Sequence, residues 1–393
     1  MNYILFDDPH RENLLPLVFT RPVSDIRLGI LTIREKWEHF LKTTTSTLTE
    51  GYLGKKFPVV IKEDNLLING TVLPDPELIS QIINLKTGQK LVIDKFVIAM
   101  RLNAGAVKKY PREEEMESID SDIDFIHVKN TWDIFSFNSQ AIEDDFELLT
   151  NGRKSQEISK TNFIIGDPDK IFIEKGAVVE YAFLNTTDGS IYIGKDAQVM
   201  EGAKIRGSFA LCEHSTLKMD AKIYRGTTVG PHCKVGGEVQ NVVFFGYSNK
   251  GHDGYLGNAV VGEWCNFGAD SNNSNLKNTY DSVKLWSYAE KHFVNTGLQF
   301  CGLIMGDHSK TGINTMFNTG TVVGVFCNLF GSGYQRNFIP SFSWGGPHGM
   351  KTFNLEKSFV VAKAVMDRRH IDFDQVEKEI LTHIFTNTST HRK

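Results

Sequence analysis

The residues with the most chemical potential lie in one short polar stretch, Tyr247-Ser248-Asn249-Lys250-Gly251-His252-Asp253-Gly254-Tyr255, set in a long aliphatic tract. An unperturbed histidine titrates at about 6.5, so near physiological pH its neutral form can take a proton from an attacking nucleophile. Metal chemistry is less well served. His232, His252, His292 and His308 form no recognisable ligand pair for a metal-dependent hydratase. Cys212, Cys233, Cys265, Cys301 and Cys327 are far apart and include no C-x-x-C pair. They signal neither a zinc module nor a disulfide framework, and the expected setting is a reducing cytoplasm.

The tract that must position this histidine has a period of six. Ile193, Val199, Ile205, Leu211, Leu217, Ile223, Val229 and Val235 fall in one register, with small residues two positions earlier at Ala197, Ala203, Ser215, Ala221, Thr227 and Cys233. Neither a helix nor an alternating strand has that period. A hexad makes one short strand and one turn, and three hexads close a triangular coil whose inward aliphatic packs on the coil before it. The register resumes at Met305, Thr311, Phe317, Val323 and Leu329. One solenoid interrupted over residues 240–255 is predicted, with a second polar excursion at 270–281. Such excursions project as loops from a rigid scaffold, where chemistry usually sits.

Ahead of the repeats the grammar is mixed: strands over 3–6, 66–68 and 91–99 and helices over 31–41 and 78–85 suggest an α/β layer. The charged run 112–124 reads as a loop or a solvated helix. Arg368-Arg369-His370 leads into an amphipathic helix over 374–385 that would cap the open end of the coil. The expected division is therefore an α/β domain over 1–155, a β-helix over 156–346 and a C-terminal extension with a helix over 347–393. With 43 Lys+Arg against 47 Asp+Glu the formal charge is −4, which argues against nucleic acid as the main partner. No stretch approaches the roughly 18 apolar residues of a membrane span.

Gly251-His252-Asp253-Gly254-Tyr255-Leu256-Gly257, followed by Asn266-Phe267-Gly268-Ala269 and Asn275-Leu276-Lys277, resembles the bifunctional N-acetylglucosamine-1-phosphate uridyltransferase/glucosamine-1-phosphate N-acetyltransferase (GlmU) family, in a divergent form. The resemblance is best from about Ala221 to Gly331. It implies a left-handed parallel β-helix, a homotrimer with sites between subunits, and acetyl transfer from acetyl-CoA to an amino-sugar 1-phosphate. His252 would then be the general base. Arg225, Lys250, Tyr255, Asn266, Asn275 and Lys277 would bind the sugar phosphate, and the backbone N–H near Ala269 would stabilise the oxyanion. Acetyl-CoA would lie against the coils of 305–323. The family's second phosphate lysine, after a Val-Glu pair, is replaced here by Gln240 in Glu238-Val239-Gln240.

The N-terminal stretch follows the family less closely. The glycine-rich phosphate loop expected after the first strand is replaced by Asp7-Asp8-Pro9-His10, and the stretch where the Mg²⁺ aspartate would fall reads Ile68-Asn69-Gly70-Thr71. Arg21, Arg27 and Lys36 are the candidates for nucleotide phosphate, and Asp75 for Mg²⁺ with UTP. Two other functions fit the same sequence: a sugar-1-phosphate nucleotidyltransferase whose β-helix serves only assembly, and a non-catalytic protein that binds nucleotide sugars.

Overall fold

A computed structural model describes residues 1–110 and 116–392. The chain separates into two compact units: residues 1–14, 20–26 and 31–129, and residues 15–19, 27–30 and 130–393.

The first unit is built on a six-stranded mixed sheet of β1 (Asn2–Phe6), β2 (Ser46–Leu48), β3 (Asp64–Asn69), β4 (Gln89–Ile93), β5 (Phe96–Asn103) and β6 (Glu117–Asp120), in the spatial order β2-β1-β3-β5-β4-β6. β1 is parallel to β2 and β3, whereas β5 runs antiparallel to β3 and β4. The single strand expected over 91–99 is a tight hairpin, because Asp94 and Lys95 adopt φ of 49° and 68° and reverse the chain. Positive φ at both central residues is what a two-residue hairpin turn requires, and here no glycine announces it. Of the charged run, residues 112–115 lie outside the described residues, and 117–120 is strand β6 rather than loop or helix.

Among the described residues of this unit the α-helices are α1 (Ile33–Leu41), α2 (Pro76–Ile83) and α3 (Ala104–Lys109). The start of α1 is fixed by a capping box in which Thr32 Oγ1 accepts from Glu35 N and Glu35 Oε2 accepts from Thr32 N. Its buried Trp37 donates Nε1–H to the Val72 carbonyl at 2.8 Å.

The second unit is a left-handed parallel β-helix of about ten turns, followed by two helices. Its rungs stack in register: Ile193 on Leu211, Leu211 on Val229, Val199 on Leu217 and Leu217 on Val235. All eight hexad aliphatics of 193–235 are buried, and all belong to one continuous core. The coil does not stop at residue 240. Strands 238–246, 249–250 and 255–263 continue it, with Phe244, Lys250, Leu256, Val261, Phe267 and Asn273 in the inward slots. Two of those steps, 239 to 244 and 256 to 261, are five residues instead of six, and two of the slots hold polar side chains. The buried Asn273 stays paired by exchanging both amide bonds with the Gly257 backbone, at 2.8 and 3.0 Å.

The true excursion covers residues 274–302 and carries an antiparallel hairpin, Lys284–Ser287 with His292–Asn295. It leaves and returns at one place, where Cys301 N donates to Asn275 O at 2.9 Å.

Along one corner of the coil the residues at successive turns all have φ between 53° and 62°, and their rings stack: His214, His232, Tyr247, Trp264, His308, Phe326 and Phe342.

Helix α4 (Asp133–Thr150) belongs to this second unit rather than to the α/β unit that the expected boundary at 155 would give it. Its buried Asn138 donates Nδ2–H to Gly226 O at 2.8 Å and Thr228 Oγ1 at 3.0 Å, which ties the helix to the coil. After the coil come α5 (Leu355–Asp367), which the sequence pattern did not announce, and α6 (Gln375–Asn387), where a helix was expected over 374–385 and where Asp374 is the cap.

Candidate active site

A cleft of about 840 Å³ opens on one face of the β-helix. Its floor is a row of residues on adjacent strands: Lys234 pairs with Asn249, Asn249 with Asn266 and Asn266 with Lys310. Neighbouring strands lie about 4.8 Å apart, so this row presents amide and ammonium groups at regular steps. Beside it Gly268 is obligatory, since a Cβ there would stand 2.3 to 2.5 Å from the backbone of Gly312 and Ile313.

One wall is the corner ladder, where Tyr247 and Trp264 stack with ring centroids 4.2 Å apart. The opposite rim carries His252, exposed at the bend of 252–254 between two strands of the coil. Val365, Arg368 and Arg369 close the cleft from the end of α5. Arg369 is anchored there by an Nη2 hydrogen bond to the His232 carbonyl at 3.1 Å.

The electrostatics favour an anionic ligand. Lys218, Lys234, Lys310, Arg368 and Arg369 all line the cleft. Burial pushes the Lys310 ammonium down to about 8, and its Nζ donates to the His308 carbonyl at 2.9 Å. Cys265 also borders the cleft, but burial pushes its thiol up to about 12, so it is no nucleophile near neutral pH.

Of the residues singled out in the sequence, His252, Asn266 and Ala269 come together in this cleft. The Gly268 and Asp270 N–H groups are bonded to Thr311 O and Asp253 O, whereas Ala269 N–H donates to no acceptor among the described residues. That leaves a backbone donor for an oxyanion. Tyr255 and Asn275 form a separate group, Nδ2 to Oη at 2.9 Å, with Tyr255 donating to Gln240 Oε1 at 3.1 Å.

One expectation is corrected. Lys250 is not a surface ligand for sugar phosphate: it occupies an inward slot of the coil with 2% of its surface exposed. Lys277 donates to the Ser282 carbonyl at 2.7 Å, and Arg225 is exposed on the coil with Nη2 on Ser139 Oγ at 3.2 Å, both outside the lining of this cleft. Sequence reasoning missed Lys218, Lys234, Lys310, Arg368 and Arg369. The lysines at 234 and 310 each precede an inward residue of the hexad, a position that faces outward and carried a readable signal.

The nucleotide candidates are each buried. Arg21 and Lys36 are 5% and 3% exposed in the first unit. Arg27 belongs to the other unit, where it donates Nε–H to Phe245 O at 3.1 Å and Nη1–H to Ile30 O. Asp75 caps α2 by accepting from Glu77 N and Leu78 N, which accounts for its carboxylate without a metal. Asp7 likewise accepts from Arg11 Nε, Val23 N and Thr49 Oγ1. Among the described residues no group of three His, Cys, Asp or Glu side chains is arranged to hold a metal ion. Among the same residues no helix is long and apolar enough to cross a membrane.

Residues 3–154 match the family model for sugar nucleotidyl transferase. The bifunctional protein GlmU of Nocardia farcinica is 28% identical over 35% of this chain and 31% of its own length. A bifunctional sugar-1-phosphate nucleotidylyltransferase/acetyltransferase of Sulfurisphaera tokodaii is 25% identical over 36% of this chain and 35% of its own. The bifunctional protein GlmU of Methanocaldococcus jannaschii is 36% identical over 19% of this chain and 18% of its own. The chain thus spans about a third or less of these relatives. Residues 3–154 are thus similar to sugar nucleotidyl transferases, and parts of the chain are similar to bifunctional GlmU proteins.

Proposed function

We propose that the protein transfers the acetyl group of acetyl-CoA to the amine of glucosamine 1-phosphate, or of a closely related amino-sugar 1-phosphate, in the supply of UDP-N-acetylglucosamine. The observation that carries this reading is His252 at the rim of a cationic cleft that also holds Asn266 and the unbonded N–H of Ala269. The amine nitrogen attacks the thioester carbonyl and passes a proton to the neutral imidazole of His252. The tetrahedral oxyanion is held by Ala269 N–H. Collapse expels the CoA thiolate, which takes up a proton. Asn266 orients the sugar, and the surrounding lysines and arginines offset the charge of the phosphates, which are costly to desolvate unpaired. Ile313 and Lys310, from the 305–323 coils, border the space available to the pantetheine arm.

A homotrimer would cover Phe163, Ile165 and Phe183, which are 60%, 48% and 38% exposed. Light scattering of the purified protein measures that state directly.

A second activity, uridylyl transfer from UTP, is favoured by the family match over 3–154. In that activity Mg²⁺ would arrive with the UTP phosphates, and one or two carboxylates of the first unit would complete its coordination. The deciding experiment supplies glucosamine 1-phosphate, acetyl-CoA, UTP and Mg²⁺ and follows CoA and pyrophosphate separately. CoA release supports the acetyl-transfer reading, and its absence removes it.

A further inference from the structure

A lysine in the core of a β-helix needs a reason, since that slot elsewhere in the coil is filled by Val199, Leu217 and Val235. Lys250 continues the same stack directly on Val235, and Phe267 takes the slot one turn later. Its ammonium does not escape to solvent. Nζ turns along the inside of the corner and donates to the His252 carbonyl at 2.9 Å and to the Gly236 carbonyl at 3.3 Å. The space it enters is reserved for it: Gly237 has φ +76°, and a Cβ there would stand 2.9 Å from both Lys250 Nζ and His252 O. Asp253 and Asp270 face the group and favour its charged form, whereas burial disfavours it.

We infer that Lys250 is a positioning residue whose buried ammonium clamps the main chain of the 251–254 bend and so fixes where the His252 imidazole stands at the cleft. The inference rests on the acetyl-transfer reading for its kinetic consequence, but not for its structural one. The bend contains Gly251 and Gly254 and projects His252 and Asp253 into solvent, so it has little packing of its own. The carbonyl-to-ammonium bond supplies what packing does not, because a charge-assisted hydrogen bond is roughly twice as strong as a neutral one. A shift of about 1 Å in a catalytic group can cost on the order of a hundredfold in rate.

The test is Lys250→Met in the full-length protein. Methionine has nearly the same length, suits an apolar slot and removes the donor; replacing a buried charge by an apolar side chain of similar volume is often neutral or stabilising. Expected are an unchanged or higher melting temperature, faster amide hydrogen exchange at residues 251–254, and a kcat for acetyl transfer lowered by about tenfold to a hundredfold with KM within about twofold. A purely structural lysine would leave kcat and the bend's exchange untouched once methionine fills the slot, and that result overturns the inference. Faster exchange with unchanged kcat overturns it as well. Should Lys250→Met fail to fold, Lys250→Gln, which keeps a shorter N–H donor, is read the same way and should fall between the two. If the wild-type protein shows no acetyl transfer, the functional reading fails by itself, and the clamp then stands or falls on the exchange rates at 251–254.

Discussion

Asn275 donates Nδ2–H to the Tyr255 hydroxyl at 2.9 Å and reaches Asn258 Oδ1 at 2.8 Å, so a residue at the root of the 274–302 excursion is locked to the start of the rung beneath it. Tyr255 passes the link on to Gln240. Tyr255→Phe and Asn275→Ala should each lower stability by about 1 kcal/mol, and the double variant should lose less than the sum because both remove one bond. Urea denaturation of the four proteins completes the cycle; strict additivity would show that the bond contributes nothing.

His252 is exposed and makes no contribution to the core. Its replacement by alanine is therefore expected to leave the melting temperature within about 1 °C while lowering acetyl transfer by roughly a hundredfold to ten-thousandfold. Wild-type turnover in that variant would take the base away from the proposed mechanism.

Burial pushes Lys250 and Lys310 both down to about 8. In the unfolded chain such groups titrate at about 10.4, so between about pH 8 and 10 the unfolded state binds more protons and their contribution to stability rises with pH. Below pH 8 the cost of holding both charged is present in full. The buried thiols of Cys265, Cys301 and Cys327, pushed up to about 12, act in the opposite sense above their ordinary range. The lysine effect is thus read as a difference. Lys250→Met/Lys310→Met should be more stable than wild type at pH 7, with the advantage shrinking toward pH 10 in urea titrations. A constant difference across that range would contradict the assignment.

In the first unit, His127 sits edge-on to Phe96 and Phe125, with ring centroids 4.4 and 5.1 Å away. Burial, reinforced by Lys129, pushes it down to about 4. Its contribution to stability is complete above about pH 6.5 and is lost as the pH falls from there toward 4, because the unfolded chain takes the proton first. His127→Leu should flatten the acid limb of unfolding over that interval. An acid limb identical to wild type would rule the histidine out as its source.

The coil was readable wherever its inward slots were aliphatic and six residues apart. From 240 to 273 both conditions lapse: Lys250 and Asn273 are inward yet polar, and two steps shorten to five. A polar side chain that folds back onto backbone carbonyls satisfies the same slot, but no hydrophobic pattern reveals it. The hairpin at Asp94-Lys95 was hidden for a related reason, since left-handed backbone was carried by residues other than glycine. His252, Asn266 and Ala269 were singled out by the resemblance of 251–257 and 266–269 to the GlmU motif, and the fold brings them to one cleft. Arg368 and Arg369 were visible as a basic pair, but only the fold of α5 brings them to the cleft, and nothing local in the sequence encodes that return.

The excursion at 274–302 closes on itself, Cys301 to Asn275, before the next rung begins. To the stack of rungs it therefore has no length: the coil resumes its register as if the intervening chain were absent. A segment grafted here would keep the register of the scaffold carrying His252 only if it also replaced the hairpin's packing, in which Trp286 stacks on Phe338 at 4.3 Å and Val283 and Leu285 are buried.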